Sequence, residues 1–563
     1  MKSIYNLLNK AVKIAFIYKL LLVFSIAMIS SCTKDALDKT PLSSFSDDAV
    51  WKDQNLIQTW INSTYRQMPF GYTWGAMMMA NVTDESHYRT GRPDYIVAGN
   101  ITPTTLGVLD YWTKGGEMSS NYMYWKVITN CNIFFDKIDA SPVEATLKNS
   151  MIGQMKFLRA YSYFKLVALF GGVPLITKPF TLTDDLNVPR NTYDECMNYV
   201  ISELSAAADL LPLEYGDEEL GKITKGAALS AKSRALLYMA SPLNNPSNDI
   251  AKWQAAADAA NAVIDLNIYS LFPSYKDQFL QANSYNSESI WSRPFNFSVD
   301  LELSQGGLEL SLYPNGYNGF AQAHPLQNLV DAFEMLSGKL PADDPSYDPQ
   351  NPFVNRDPRF YATILYDGAP FQGRGVETFL PGGKDSNEGP ISANNATTTG
   401  YYYRKFINES IVDPSENNQG NSPWIFIRYA EILLNYAEAK YMLGDESTCR
   451  EYINMVRSRP GVNMPPVTET GAALLTRLQH ERQIELVFEE HRYFDVRRWK
   501  IAPVTDNIPG RKMVIRKDLN TGIKTYTVTD FLTRAFADKN YYVPIPQAEI
   551  NKNPNLEQNP GYN

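Results

Sequence analysis

The chain holds 563 residues, 44% of them hydrophobic and 20% charged, with a net charge of −9 at neutral pH. That composition is enough for a core of several layers and excludes a disordered polymer. An acidic chain without a basic run argues against nucleic-acid binding, and 34 prolines and 32 glycines without period exclude a fibre. Among the aromatics tyrosine leads, with 35 against 26 phenylalanines and 9 tryptophans.

Lys2, Lys10, Lys13 and Lys19 give a basic N-terminus without Asp or Glu, followed by an apolar run from Leu20 to Ile29. Such a run is too short to span about 30 Å of hydrocarbon but suits a signal-peptide core. Ser30-Ser31-Cys32 then resembles a bacterial lipoprotein signal, although Met28 and Ile29 depart from its usual cleavage box. The resemblance implies that residues 1–31 are removed and that Cys32 is lipidated. Acyl chains contribute about 0.8 kcal/mol per buried methylene, so several on one cysteine hold a protein on a membrane without a spanning helix. Residues 32–48, rich in Asp, Ser and Thr, read as a tether. Cys131, Cys196 and Cys449 are odd in number and widely spaced, and read as buried thiols.

Beyond the tether the text is mainly helical. Met155–Phe170 is apolar nearly all round, broken by Lys156, Arg159 and Lys165, and stops at Gly171-Gly172. Helices are expected over Thr192–Leu211, Lys225–Ala240 and Trp253–Ile264. From Ile427 to Leu443, Arg428, Glu431, Asn435 and Glu438 share one stripe of an otherwise apolar helix. Leu474–Glu490 repeats the plan with Arg482, Glu485 and Glu489. Recurring antiparallel pairs suggest tetratricopeptide-like units, although the strict consensus is absent. Between Leu271 and Pro423, Pro, Gly, Asn, Tyr and Asp dominate, with strand-like pieces at Ser289–Trp291 and Tyr401–Phe406. A second loop-rich stretch, Phe70–Gly116, carries Trp74, Tyr88, Tyr95, Tyr111 and Trp112. Loops of this length point to function.

Several motifs together resemble one family. They are Phe157-Leu-Arg-Ala-Tyr-Ser-Tyr-Phe164 with Phe170-Gly-Gly-Val-Pro-Leu175, Gly221-Lys-Ile-Thr-Lys-Gly-Ala-Ala228 and Asn355-Arg-Asp-Pro-Arg359. Ile427–Ala439, His480–Leu486, Phe488–Asp495, Arg497-Arg-Trp499, Tyr542-Val-Pro-Ile-Pro546 and Gln558-Asn-Pro-Gly-Tyr562 follow in order. From Cys32 to its end the chain is similar to SusD/RagB outer-membrane lipoproteins of the Bacteroidetes type. The resemblance implies a mainly α, SusD-like fold of tetratricopeptide-like pairs plus an irregular, loop-rich portion with short strands that carries the ligand site. It divides the chain into an N-terminal helical region, 49–270, and a RagB/SusD region, 271–563. The latter is loop-rich over 271–423, helical over 424–500, and closes with a C-terminal segment, 501–563. It also implies a SusC-like TonB-dependent transporter as partner, delivery of glycans or peptides into it, and no catalysis.

The catalytic readings are poor. Gly216–Lys222 approaches a phosphate-binding loop, but Ile223 stands where a hydroxyl must bind magnesium, and three acidic residues would repel phosphate. A loop leading into the Lys225 helix is the simpler expectation. His480, Glu481, Glu490 and His491 match no zinc pattern, and read as members of ion pairs between helices. Asp343–Asp348 offers oxygen ligands for calcium without the full loop pattern, so no cofactor is expected beyond that possibility.

A sugar ring has an apolar C–H face and a hydroxyl rim, which suits an aromatic platform edged by amide, carboxylate and Arg groups. The expected ligand wall is Trp74, Tyr111 and Trp112 with Arg89 and Arg92, faced by the Tyr313–Tyr317 loop. Asn81, Asp84, Asn315 and Asn318 are further candidate donors, whereas Trp51, Trp60, Trp253 and Trp499 sit in helical text and read as core. An oligosaccharide-binding lipoprotein is the leading expectation, a peptide binder its alternative, and a polysaccharide hydrolase a distant third. Cys32→Ala is expected to leave a folded protein in the soluble fraction, because the tether adds nothing to the core. Retention of that variant on washed membranes stripped of its transporter would overturn the lipid assignment.

Overall fold

A computed structural model of the chain describes residues 47–72, 79–116, 121–296, 307–415 and 417–562. Cys32, the tether up to residue 46 and Trp74 lie outside them. Two units are present, and the smaller holds the chain up to Thr59 with Ala140–Val143. In it Asp53 accepts from the amides of Asn55 and Leu56 at 2.7 and 3.1 Å and so opens helix α1 (Gln54–Arg66), whose residues from Trp60 on belong to the larger unit. All that follows concerns the larger unit.

Its frame is a stack of helices: α2 (Tyr124–Lys137), α3 (Ala145–Phe170), α4 (Tyr193–Leu210), α5 (Lys225–Ala240) and α6 (Ile250–Ile264), each packed on the next. Local chemistry starts and stops them. Thr192 Oγ1 accepts from Glu195 N at 3.2 Å while the Glu195 carboxylate accepts from Thr192 N at 2.8 Å, a reciprocal cap on α4. Thr224 and Asp249 cap α5 and α6, and Gly171, at φ +75°, ends α3. The polar breaks of α3 are ion pairs: Arg159 and Lys156 donate to Glu203 of α4 at 2.5 and 2.6 Å. Small residues let α6 close on α5, where Ala256 and Ala257 pack with Trp253 beside Leu237 and Ala240. Cys131, Cys196 and Cys449 are buried free thiols, as expected.

After α6 the chain leaves the stack and returns at α7 (Tyr429–Met442), which packs directly on α6. Residues 265–423 are therefore an insertion between neighbouring helices. α8 (Glu446–Arg457), α9 (Gly471–Glu485) and α10 (Arg492–Arg498) follow. Two helices are shorter than their apolar pattern suggests. Ile427 and Arg428 end a strand rather than begin α7, and α9 stops at Glu485, with Phe488 and Glu490 at φ +64° and +63°.

Ten short strands occur among the described residues: β1 (Ser86–Tyr88), β2 (Ser289–Arg293), β3 (Ala323–Pro325), β4 (Ile364–Leu365), β5 (Pro370–Phe371), β6 (Arg374–Gly375), β7 (Tyr402–Tyr403), β8 (Trp424–Arg428), β9 (Gly510–Lys517) and β10 (Lys524–Leu532). They form five antiparallel pairs: β1 with β3, β2 with β8, β4 with β7, β5 with β6, and β9 with β10. The β9–β10 hairpin lies in a C-terminal segment that the sequence left unassigned.

The insertion packs into an aromatic core through Phe279, Tyr313, Phe333, Phe360, Tyr401, Tyr402 and Tyr403, joined by Trp424 of β8. With so little sheet, its backbone carbonyls need other donors. Tyrosines supply them. Tyr313 Oη donates to Asn408 O at 2.6 Å, Tyr361 to Phe353 O at 2.7 Å, Tyr402 to Asp385 O at 2.6 Å and Tyr317 to Phe371 O at 2.9 Å.

Stack and insertion meet at buried charge. Arg428 donates to Glu288, Glu485 and Glu489, all at 2.7 Å, and is 1% exposed. Glu431, expected beside it on one helical stripe, pairs instead with Arg234 of α5 at 2.5 Å. Removing one partner of such a buried set costs about 3 to 5 kcal/mol. Arg428→Leu is thus expected to lower Tm sharply in thermal melts. Arg450→Leu, which breaks a half-exposed pair with Glu446, should cost under about 1 kcal/mol. Equal Tm values for the two variants would remove Arg428 from this role.

Candidate ligand cleft

β1 and β3 supply one side of an open cleft. Their register sets His87 opposite His324, and Nδ1 of each lies 3.1 Å from Thr398 Oγ1. Thr398 N donates to His324 Nδ1 at 3.3 Å, which makes that nitrogen an acceptor. His324 is fully buried. Burial, reinforced by the neighbouring His87 and Arg89, holds its pKa well below the ordinary range, so it is neutral. His87 Nε2 turns to Asp94, 3.2 Å from Oδ1. Arg89 extends the ladder by donating its amide to Gln322 O at 2.8 Å, and its Nη1 donates to Asn394 O at 2.7 Å.

The second side is the β9–β10 hairpin. Its register runs from Lys524↔Lys517 to Asp530↔Arg511 and then slips, pairing Leu532 with Gly510. Phe531 is the extra residue of this bulge, a device that re-aims a side chain. Its ring meets His87 edge-on at 5.2 Å, and Lys512 Nζ lies 5.6 Å from its centroid. The third side is the 387–400 loop. Gly400 has φ +88°, and a Cβ there would sit 2.5 Å from Met513 O, so glycine lets the loop run against β9. The cleft measures about 810 Å³. Arg89, Asp94, Asn387, Asn394, Thr397 and Lys512 give it a polar lining, and Phe531, Leu380 and Val514 an apolar one.

Of the residues chosen from sequence, Arg89 lines this cleft. Arg92 is exposed nearby but outside the lining. Trp112 belongs to the core instead. It is 5% exposed, 5.3 Å from Trp125 and 5.2 Å from Phe170. Tyr111 is likewise buried, stacked on Tyr124 at 5.7 Å. Tyr313 is fully buried, its hydroxyl spent on the Asn408 carbonyl. Tyr317 is half-buried under the Arg374 guanidinium, 3.8 Å from its ring. Asn81, Asp84, Asn315 and Asn318 are also structural: Ser86 Oγ donates to Asn81 at 2.7 Å, and Arg492 holds Asp84 through two bonds at 2.9 and 2.7 Å. Asn315 donates to Ile391 O at 2.9 Å and Asn318 to Asp413 at 2.8 Å.

Sequence reasoning missed Phe531, Lys512, His87, Asp94 and Asn394. One signal was available: the chain has four histidines, and two of them, His87 and His324, stand in loop-rich text. Two adjoining hollows of about 320 and 430 Å³ flank the 213–222 loop. Lys222 there is paired with Glu219, and the loop leads into α5 as expected. In the acidic loop Asp344 accepts from Ser346 N and Oγ at 2.8 and 2.6 Å and from Ser337 Oγ. Among the described residues no group of three His, Cys, Asp or Glu side chains is placed to hold a metal.

A family model described as the SusD family matches residues 279–562. This chain belongs to the SusD family. A second model, described as starch-binding associating with outer membrane, matches residues 37–237. SusD-like protein P38 of Formosa agariphila is 25% identical over 514 residues, 87% of this chain and 92% of that protein. A SusD-like protein from Bacteroides fragilis superposes with a TM-score of 0.78 at 29% identity, covering 93% of this chain and all of that one. A SusD-like carbohydrate binding protein from the same organism gives 0.76 at 28% identity, over 90% of this chain and all of that one. The mainly helical fold with short strands agrees with these SusD-like structures.

Behind the cleft of this SusD-family chain lies Glu85, 2% exposed, accepting from Phe488 N at 3.2 Å with Oε1 unpartnered. Burial, then the neighbouring Asp84 charge, pushes its pKa up to about 8, against the pull of Arg492. The folded protein therefore keeps a proton that the unfolded chain releases near its ordinary value of 4.5. Stability from this group falls as pH rises from that value through about 8. Glu85→Gln should raise Tm relative to the parent progressively from pH 5 to pH 8.5 in thermal melts. A Tm difference that stays constant with pH would rule out this titration.

Proposed function

We propose that this SusD-family protein is a cell-surface lipoprotein, anchored through Cys32, that captures oligosaccharides. It delivers them to a SusC-like TonB-dependent transporter of the outer membrane. The observation that carries the reading is the bulged Phe531 ring at the cleft mouth, edged by Arg89, Asp94, Asn387, Asn394 and Lys512. An apolar ring beside amide, carboxylate and guanidinium groups matches the two chemistries of a sugar. The carbohydrate binding named for the second Bacteroides fragilis structure and the starch binding named for the N-terminal family model support the same class. Trp74, Arg92 and the transporter contact stay part of the proposal.

Capture without turnover fits the lining. Glycoside hydrolysis takes two carboxyl groups about 5 to 10 Å apart across the bond. Among the described lining residues Asp94 is the one carboxylate, and it is engaged with His87. A glycan array, run beside a peptide pull-down, selects the ligand, and isothermal calorimetry then measures it. Phe531→Ala is expected to weaken oligosaccharide binding about five- to 150-fold, or ~1 to 3 kcal/mol by analogy with base–aromatic stacking, with Tm little changed. Unchanged affinity would move the site elsewhere, and capture of peptides with no glycan bound would replace the ligand class.

A further inference from the structure

We infer that the cleft takes an anionic glycan, one carrying a carboxylate or sulfate group on its sugar rings, held by Arg89 and Lys512 beside Phe531. The inference rests on the cleft being the glycan site, and it adds the charge of the ligand. Among the described residues many buried guanidinium groups meet a carboxylate, although Arg356 is held by three backbone carbonyls instead. Arg159 meets Glu203, Arg234 meets Glu431, Arg359 meets Asp357, Arg457 meets Glu334 and Arg498 meets Glu438. Among the described residues Arg89 has no carboxylate partner: Nη1 donates to the Asn394 carbonyl, and Nε is buried without any hydrogen bond. Among the described residues Lys512 likewise has no carboxylate partner, and it lies over the face of Phe531. Asp94, the lining carboxylate, is committed to His87 and cancels neither cation.

Two cations that line one cleft without a carboxylate partner among the described residues, in a chain of net charge −9, make a local field of the opposite sign. A neutral sugar gives them only hydroxyl dipoles. A ring carboxylate or sulfate gives Arg89 a charged acceptor and Lys512 a counter-charge, while the sugar face rests on Phe531. The hydrogen bonds formed are charge-assisted and weaken with salt because the cleft is open.

The test is calorimetry on the full mature chain with three probes of matched length: an oligogalacturonate, a sulfated carrageenan oligosaccharide and a neutral laminarin oligosaccharide. Each is measured at low and high salt, with Arg89→Gln, Lys512→Gln and Phe531→Ala. At least one anionic probe is expected to bind tenfold or more tighter than the neutral one at low salt. That preference should shrink towards unity in either charge variant and at high salt, and the tighter anionic arm identifies carboxylate or sulfate. If the neutral probe binds as tightly as both anionic ones, with Phe531→Ala weakening all three, the charge inference fails and the cleft stands. If binding is unmoved by Phe531→Ala and by both charge variants, the cleft itself is wrong. Failure of both anionic probes to bind also overturns the inference.

Discussion

Glu485 sits where four segments meet, and the docking of the insertion on the helical stack turns on its charge. It closes α9 and accepts from Arg428 at the end of β8, Arg459 beyond α8 and Arg359 of the insertion, at 2.7, 2.7 and 3.0 Å. Burial alone would raise its pKa. Arg459, Arg428 and Arg359 overcome that and hold the carboxyl well below the ordinary range. Glu288, next to β2, bridges Arg428 and Arg459, while Glu481, one turn before Glu485, links Arg359 to Arg457. A buried ionic lattice adds little against an apolar core of the same shape, but a misplaced member leaves an unpaired charge worth several kcal/mol. Its work is therefore discrimination. One placement of the insertion satisfies every charge, which fixes β2 and β8 and the frame from which the cleft loops spring.

That lattice was legible in outline. Arg482, Glu485 and Glu489 stood at helical spacing in otherwise apolar text, and such a stripe has no cheap place except against other charges. Its partners were not legible, because Arg359 and Glu288 reach it from the insertion, where no periodicity marks which way a side chain points. The same reasoning separates the two ends of α7. Glu431, Asn435 and Glu438 share its buried face, whereas Arg428, one step earlier, belongs to a strand whose pairing with β2 the sequence does not announce.

The aromatic residues show why the site was harder to find than the fold. Trp112, Tyr111, Tyr313 and Tyr317 lie in loop text, where a ring turned outward to a sugar and one turned inward to the core look alike. The backbone decides between them. Irregular loops leave carbonyls without a ladder, and a phenol both fills apolar space and donates one hydrogen bond, so tyrosine suits their interior. Within the insertion Tyr313, Tyr401, Tyr402 and Tyr403 are interior in this way. Phe531 reaches the cleft by a route invisible in one dimension, a single-residue slip in a hairpin. Arg89, chosen as an edge donor in the loop-rich Phe70–Gly116 stretch, lines the candidate cleft.

The groups packed behind the cleft complete the electrostatic picture. His324 is fully buried and kept neutral, and Glu85 titrates near 8, so at neutral pH it is largely protonated. Both belong to the β1–β3 frame: His324 pairs with His87, and Glu85 O accepts from Leu326 N at 3.0 Å. A charged Glu85 would stand behind the same strands that carry Arg89 and would oppose its field at short range. Burial removes that opposition by keeping the proton on. The floor is electrically quiet, Asp94 lies against His87, and Arg89 and Lys512 supply the positive field at the mouth. A chain with nine excess negative charges can in this way present a positive cleft without carrying a positive face.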